Sequence, residues 1–267
     1  MRRLPSFAVP LSIVVGILVA VASFSGLSID TTYASEATSF AAQGRAQDLV
    51  NLVWVLPLFG ISLHYVRRGL FSARIGWLGI LLYFTYTYVL ASMGLVYNRL
   101  FLVYVAIYSL SLALLIVGLG CIRYGDMHWR FSHRFPRRAT AGFAIAVGTL
   151  VALLWLGDIV PFLVNGTPPP QLGEAVTQSL VVQALDLGIV VPLSILGGVT
   201  LLRNMPVGYL LSGLALAKAV TLGPAMIAMA AFLTAADLPV APLLWVFAGL
   251  ITGCGGYFSY RYIRSLH

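Results

Sequence analysis

The chain has 267 residues, 60% of them hydrophobic and 9% charged, with a formal net charge of +8 and a pI near 9.8. Soluble domains carry about 25% charged residues, so this composition excludes a soluble fold. The basic excess sits in short loops between apolar runs, which excludes nucleic acid as its explanation.

Eight apolar runs follow one another, at 7–27, 49–66, 77–95, 100–122, 139–164, 180–202, 207–233 and 242–263. Each approaches or exceeds the roughly 20 residues that carry a helix across about 30 Å of hydrocarbon. The expected fold class is all-α: a polytopic transmembrane helical bundle of eight spans, forming one integral membrane domain over 1–267. The first run follows Met1-Arg2-Arg3, as a secretory signal would. Its apolar stretch exceeds the roughly 7–15 residues of a signal core, so it reads as a span.

Arginines set the expected orientation. With the N-terminus inside, Arg2, Arg3, Arg67, Arg68, Arg74, Arg123, Arg130, Arg134, Arg137, Arg138, Arg203, Arg261 and Arg264 are cytoplasmic, and only Arg45 and Arg99 lie outside. That bias follows the positive-inside rule, placing both termini on the cytoplasmic face of the cell membrane. The loop 123–138 interleaves these arginines with aromatics, a composition suited to anionic lipid headgroups.

Cys121 and Cys254 both map toward the cytoplasmic half, where a disulfide is not expected. His64, His128, His133 and His267 are scattered without metal-ligand spacing, so neither a metal nor a cofactor is expected. Asn165-Gly166-Thr167 is a formal glycosylation triplet in the second long outer loop.

An internal repeat is the most informative pattern. Asp48 and Asn51 in the second run match Gln183 and Asp186 in the sixth, and a proline follows six residues later in both, Pro57 and Pro192. An arginine follows each proline by eleven, Arg68 and Arg203, and after the turn Gly76-Trp77-Leu78 meets Gly208-Tyr209-Leu210. The register then sets Tyr86 opposite Lys218. Repetition after four spans predicts parallel halves, 1–123 and 139–267, related by an axis along the membrane normal. Long first outer loops, 28–47 and 165–179, and short second ones agree with it.

Lys218 is the one lysine in the chain, and it falls in the middle of the seventh span. A charge there is costly unless paired or wet, so it marks a functional site by default. Asp186 is its expected partner. It lies about 10 Å below the outer boundary and Lys218 about 13 Å below, at 1.5 Å per residue in a core of about 30 Å. Spacing by three puts Asp48 and Asn51 on one helix face and Gln183 and Asp186 on another. The expected ligand or proton site is therefore Asp186, Lys218, Asn51, Gln183, Asp48 and Tyr86, in a cavity open to the outside and closed below by apolar packing. Asp48 is expected near the solvated boundary. Tyr83 and Tyr108 are candidates for the inner wall, and Asn98, Arg99 and Asp158 for the mouth.

The function classes divide on this cavity. A small transporter-like protein taking a polar or ionic ligand fits the repeat and the outward-facing site; a ligand-sensing or accessory protein fits the cavity without translocation. No nucleophile or metal set points to an enzyme. The segments Tyr97-Asn98-Arg99-Leu-Phe-Leu-Val-Tyr-Val-Ala-Ile-Tyr-Ser109, Ala184-Leu-Asp186-Leu with Pro192, and Pro206-Val-Gly-Tyr-Leu-Leu211 resemble uncharacterised eight-span integral membrane proteins of bacteria and archaea. That resemblance implies the eight-span fold and assigns no site residues.

Overall fold

The computed structural model describes residues 3–166 and 180–266. Among them the secondary structure is helical, without named strands, and eight helices are long and apolar enough to cross a membrane. They are α1 (Ala8–Ser28), α2 (Thr38–Arg67), α3 (Phe71–Gly94), α4 (Phe101–Gly120), α5 (Arg137–Asn165), α6 (Val181–Leu202), α7 (Pro206–Ala235) and α8 (Pro242–Arg264). The protein is a multi-pass membrane protein.

Burial separates centre from rim. The most apolar window of α3 is 61% buried, against 17% for α5 and for α8. Leu150, Leu153 and Leu163 of α5 and Leu243, Val246 and Leu250 of α8 are exposed. An exposed apolar face on a spanning helix is the face that lipid covers. Helices α3 and α7 cross at the centre, and a β-carbon on Gly79 of α3 would overlap the Ala217 β-carbon of α7. Small residues let two backbones approach closely where lipid offers no hydrophobic drive.

Two helices start earlier than hydropathy predicts. Helix α2 begins at Thr38, so residues expected in a long loop form its first three turns, and Asp48 is buried well inside the helix. That corrects the solvated position expected for Asp48. Helix α3 begins at Phe71 and takes in Arg74, which is 4% exposed and no loop residue. The glycosylation triplet and the second long loop extend into 167–179, outside the described residues.

Both repeat prolines follow a widened π-helical turn, Asn51–Val55 in α2 and Asp186–Val190 in α6. A proline cannot donate to the carbonyl four residues back, and its ring crowds that carbonyl. For Pro57 and Pro192 those carbonyls belong to Val53 and Gly188, inside the widened turns, where the helix has room for the ring. Pro224 within α7 frees the Val220 carbonyl instead, and the Trp54 indole N–H of α2 donates to it at 3.1 Å. A neighbouring helix thus satisfies the group that proline leaves open.

At one end of the bundle the segment 121–136 docks against the chain termini. Cys121 Sγ lies 3.7 Å from the Arg3 carbonyl, and the Ser132 N–H donates to Ser265 O at 2.8 Å. Phe131 and Phe135 pack against Tyr209 and Tyr262, while Trp129 is 80% exposed. Cys121 and Cys254 are free thiols.

Candidate functional site

Helices α2 to α8 all contribute to the lining of a cavity of about 300 Å³, α4 through Tyr104. Its lining runs from Phe40 and Gln43 on the first turns of α2 and Leu244 on the first turn of α8 down to Asn51 and Lys218. It therefore faces the end of the bundle that carries the 29–37 and 236–241 connections. Toward the arginine-rich end, Leu78, Leu81 and Leu214 are buried one or two turns past the floor. His64 is exposed on α2 and does not extend the cavity.

Lys218 is 5% exposed and lines the cavity floor. Its ammonium nitrogen stands 3.4 Å from the centroid of the Tyr86 ring and 5.4 Å from that of Tyr83. The expected ion pair with Asp186 is absent, since no nitrogen–oxygen contact between the two lies within 4.0 Å. Tyr86 takes that place. Its hydroxyl donates to Asp186 Oδ1 at 2.7 Å, and the Trp155 indole N–H of α5 donates to Oδ2 at 2.8 Å. A cation over a desolvated ring gains about 2 kcal/mol, and neutral donors satisfy both carboxylate oxygens without the lysine.

Across the cavity the polar groups knit helices together. Asn51, 1% exposed, donates to Ser23 Oγ of α1 at 3.1 Å and accepts from the Tyr83 hydroxyl of α3 at 2.6 Å. The Gln47 amide in turn donates to the Tyr83 oxygen. Asp48 accepts from the Tyr33 hydroxyl at 2.6 Å. The carboxylate reaches that position because α1 carries Gly26 there: a β-carbon would overlap it. Tyr33 lies in the connection before α2. Burial first, then the facing carboxylate, holds its phenol far above the ordinary range, so it remains a donor at any physiological pH.

The contacts form one chain through the molecule. From α1 to α5 it runs Ser23, Asn51, Tyr83, Lys218, Tyr86, Asp186 and Trp155. Five of the six expected site residues line the cavity: Asp48, Asn51, Tyr86, Asp186 and Lys218. Gln183 is 5% exposed on α6 but not in the lining. Tyr83 lines it and Tyr108 does not. Asn98 and Arg99 belong to a separate pocket with Glu36, and Asp158 is outside both. Sequence reasoning missed Trp155 and Tyr33. A tryptophan deep in α5, far from the interfacial belt where tryptophans gather, was the available signal for the first.

No protein-family model, curated protein or solved structure significantly matches the chain.

Proposed function

We propose that this is a small transporter-like membrane protein that binds its ligand in the cavity between α2, α3, α6 and α7. The observation that carries this reading is Lys218: a buried ammonium on the floor of a cavity, held by ring faces and, among the described residues, in contact with no anion. A group desolvated at such cost is retained where it meets something. The widened turns at Asn51 and Asp186 support movement about the site, since π-helical turns mark places where a helix can bend and recur at functional positions. The contact between Tyr86 and Lys218, which the repeat register pairs, supports two four-helix halves about an axis between α3 and α7.

In this reading the cavity faces outward, and the arginine-rich end, with both termini, is cytoplasmic. Exposed Arg123, Trp129, Arg134 and Arg138 meet anionic headgroups there. Ligand sensing without translocation is the second reading, favoured by the buried Leu78, Leu81 and Leu214 beneath the floor.

The test is a thermal-shift screen of purified protein against ions, amino acids, sugars and lipids, run on wild type and Lys218→Met. A ligand that stabilises wild type and not the variant is the expected result. Equal responses of the two proteins to every ligand would remove Lys218 from the site. Uptake of the identified ligand into proteoliposomes then separates transport from sensing.

A further inference from the structure

Resting on that reading of the cavity, we infer that its ligand is a single-chain amphipathic anion, with its acidic head on Lys218 and its apolar tail along α7. Two observations carry this, one from the floor and one from the wall.

At the floor the polar groups are unequally satisfied. Both oxygens of Asp186 are occupied by the Tyr86 and Trp155 donors. The Tyr83 hydroxyl donates to Asn51 and accepts from Gln47. Asp48 holds the Tyr33 hydroxyl. Among the described residues Lys218 alone of these has no side-chain hydrogen-bond partner, and its ammonium stands at the cavity between two ring faces. An anionic oxygen is the partner this floor lacks, and it would add charge-assisted hydrogen bonds in a dry site.

Above the floor the wall turns apolar in a regular way. Leu222, Met226, Met229 and Leu233 follow Lys218 at spacings of four, four, three and four, a single stripe along α7, and all of them line the cavity. The rise from Lys218 to Met229 is about 17 Å. Leu244 and Phe247 of α8 line the cavity as well. A stripe of this length offers a hydrocarbon tail continuous contact, and its methionines adapt to chains of differing shape. The volume, about 300 Å³, suits a single medium-length chain and not a two-chain lipid. A small inorganic anion would leave this wall unfilled. A sugar would meet only apolar side chains along the α7 side of the cavity above Lys218.

The experiment measures equilibrium binding of radiolabelled decanoate to full-length protein in nanodiscs, with empty nanodiscs as blank. Decyl phosphate, decanol and acetate serve as competitors. Decanoate should bind wild type, decanol and acetate should compete poorly, and Lys218→Met should weaken decanoate by at least about tenfold, or 1.4 kcal/mol. Lys218→Arg should keep the preference for the acid over the alcohol, and Met226→Trp, which fills the tail path, should weaken binding while the lysine stays in place. Competition by decyl phosphate shows whether the head is a carboxylate alone or any acidic group; either result supports the inference. Equal competition by decanol overturns the anionic head and leaves the cavity reading intact, whereas unchanged affinity in Lys218→Met overturns the head and removes Lys218 from the site. Full competition by acetate overturns the tail. If no amphiphile binds while another solute stabilises wild type and not Lys218→Met, the class is wrong and the site stands. If nothing binds or stabilises, both fall. Melting curves for each variant show that it is folded.

Discussion

The two walls of the cavity use the same helical device for different ends. On one side Asn51 opens the widened turn of α2; on the other Asp186 opens that of α6. Asn51 is almost fully buried, and its amide ties α1 to α3 through Ser23 and Tyr83. Asp186 is half-buried and is held by Tyr86 and Trp155 at the edge of the cavity. An amide supplies a donor and an acceptor and can be consumed entirely by its neighbours. On the other wall an acidic and a basic side chain, with Tyr86 between them, both stand at the surface of the cavity. One wall is a fastening, and the other carries the groups assigned above to the proposed ligand.

If that contrast is right, substitutions on the two sides should separate stability from binding. The largest loss of stability should come from Gly79→Val at the α3–α7 crossing, where a side chain must push apart two packed backbones. Overpacking of this kind costs about 1–3 kcal/mol, and thermal unfolding in detergent would show it. Next comes the fastening. Asn51→Leu leaves the Tyr83 hydroxyl proton without its acceptor and leaves Ser23 Oγ only its longer contact with the Tyr88 hydroxyl, an expected cost of about 1–3 kcal/mol. Lys218→Met should do the reverse, leaving stability unchanged or raised, because it removes a desolvated charge whose partners are rings, while ligand stabilisation disappears. A Lys218→Met protein that unfolds while Asn51→Leu is unaffected would invert the assignment of the two walls.

Smaller effects lie outside the cavity. Trp54→Phe frees the carbonyl that Pro224 leaves without a donor, and hydrogen bonds between spans are worth about 0.6 kcal/mol on average. A shift of the melting midpoint by a degree or two is expected. Glu36, in the connection before α2, accepts the Val96 N–H at 2.6 Å. Burial raises its carboxyl above the usual range, and that hydrogen bond only partly opposes the shift. The folded protein therefore binds this proton more tightly than the unfolded chain does. Its stabilising contribution is present below the ordinary glutamate range and is lost as pH rises through the raised folded value. Glu36→Gln keeps an acceptor for Val96 without the charge, so the variant should gain on wild type as pH rises from about 4 to 7. Parallel melting curves across that range would contradict it.

The parts legible in sequence are those set by transfer of side chains between water and hydrocarbon. Eight spans followed from hydropathy, and the common level of Lys218 and Asp186, which both meet Tyr86, followed from the rise per residue. The early start of α2 did not, because Thr38 to Gln47 is polar on average and is drawn into the bundle by particular inward contacts of Gln43, Gln47 and Asp48. The ion pair failed for a related reason. Equal depth fixes only the level of two side chains, whereas rotation of each helix about its axis decides whether they touch. Gly79 and Ala217 bring α3 against α7 closely enough for Tyr86 to cover Lys218 before Asp186 can reach it. Tyr33 was hidden in a connection whose path hydropathy does not constrain.

The central claim is that Tyr86 stands between the two charges, and a double-mutant cycle tests it directly. Unfolding free energies of Tyr86→Phe, Asp186→Asn, Lys218→Met and the pairwise combinations give two coupling energies for Asp186, one with Tyr86 and one with Lys218. The account predicts a Tyr86–Asp186 coupling of about 1.5–3 kcal/mol, the range for a hydrogen bond to a charged group, and a clearly smaller coupling between Asp186 and Lys218. The reverse order would mean that lysine and aspartate pair directly and would contradict the arrangement on which the site is built.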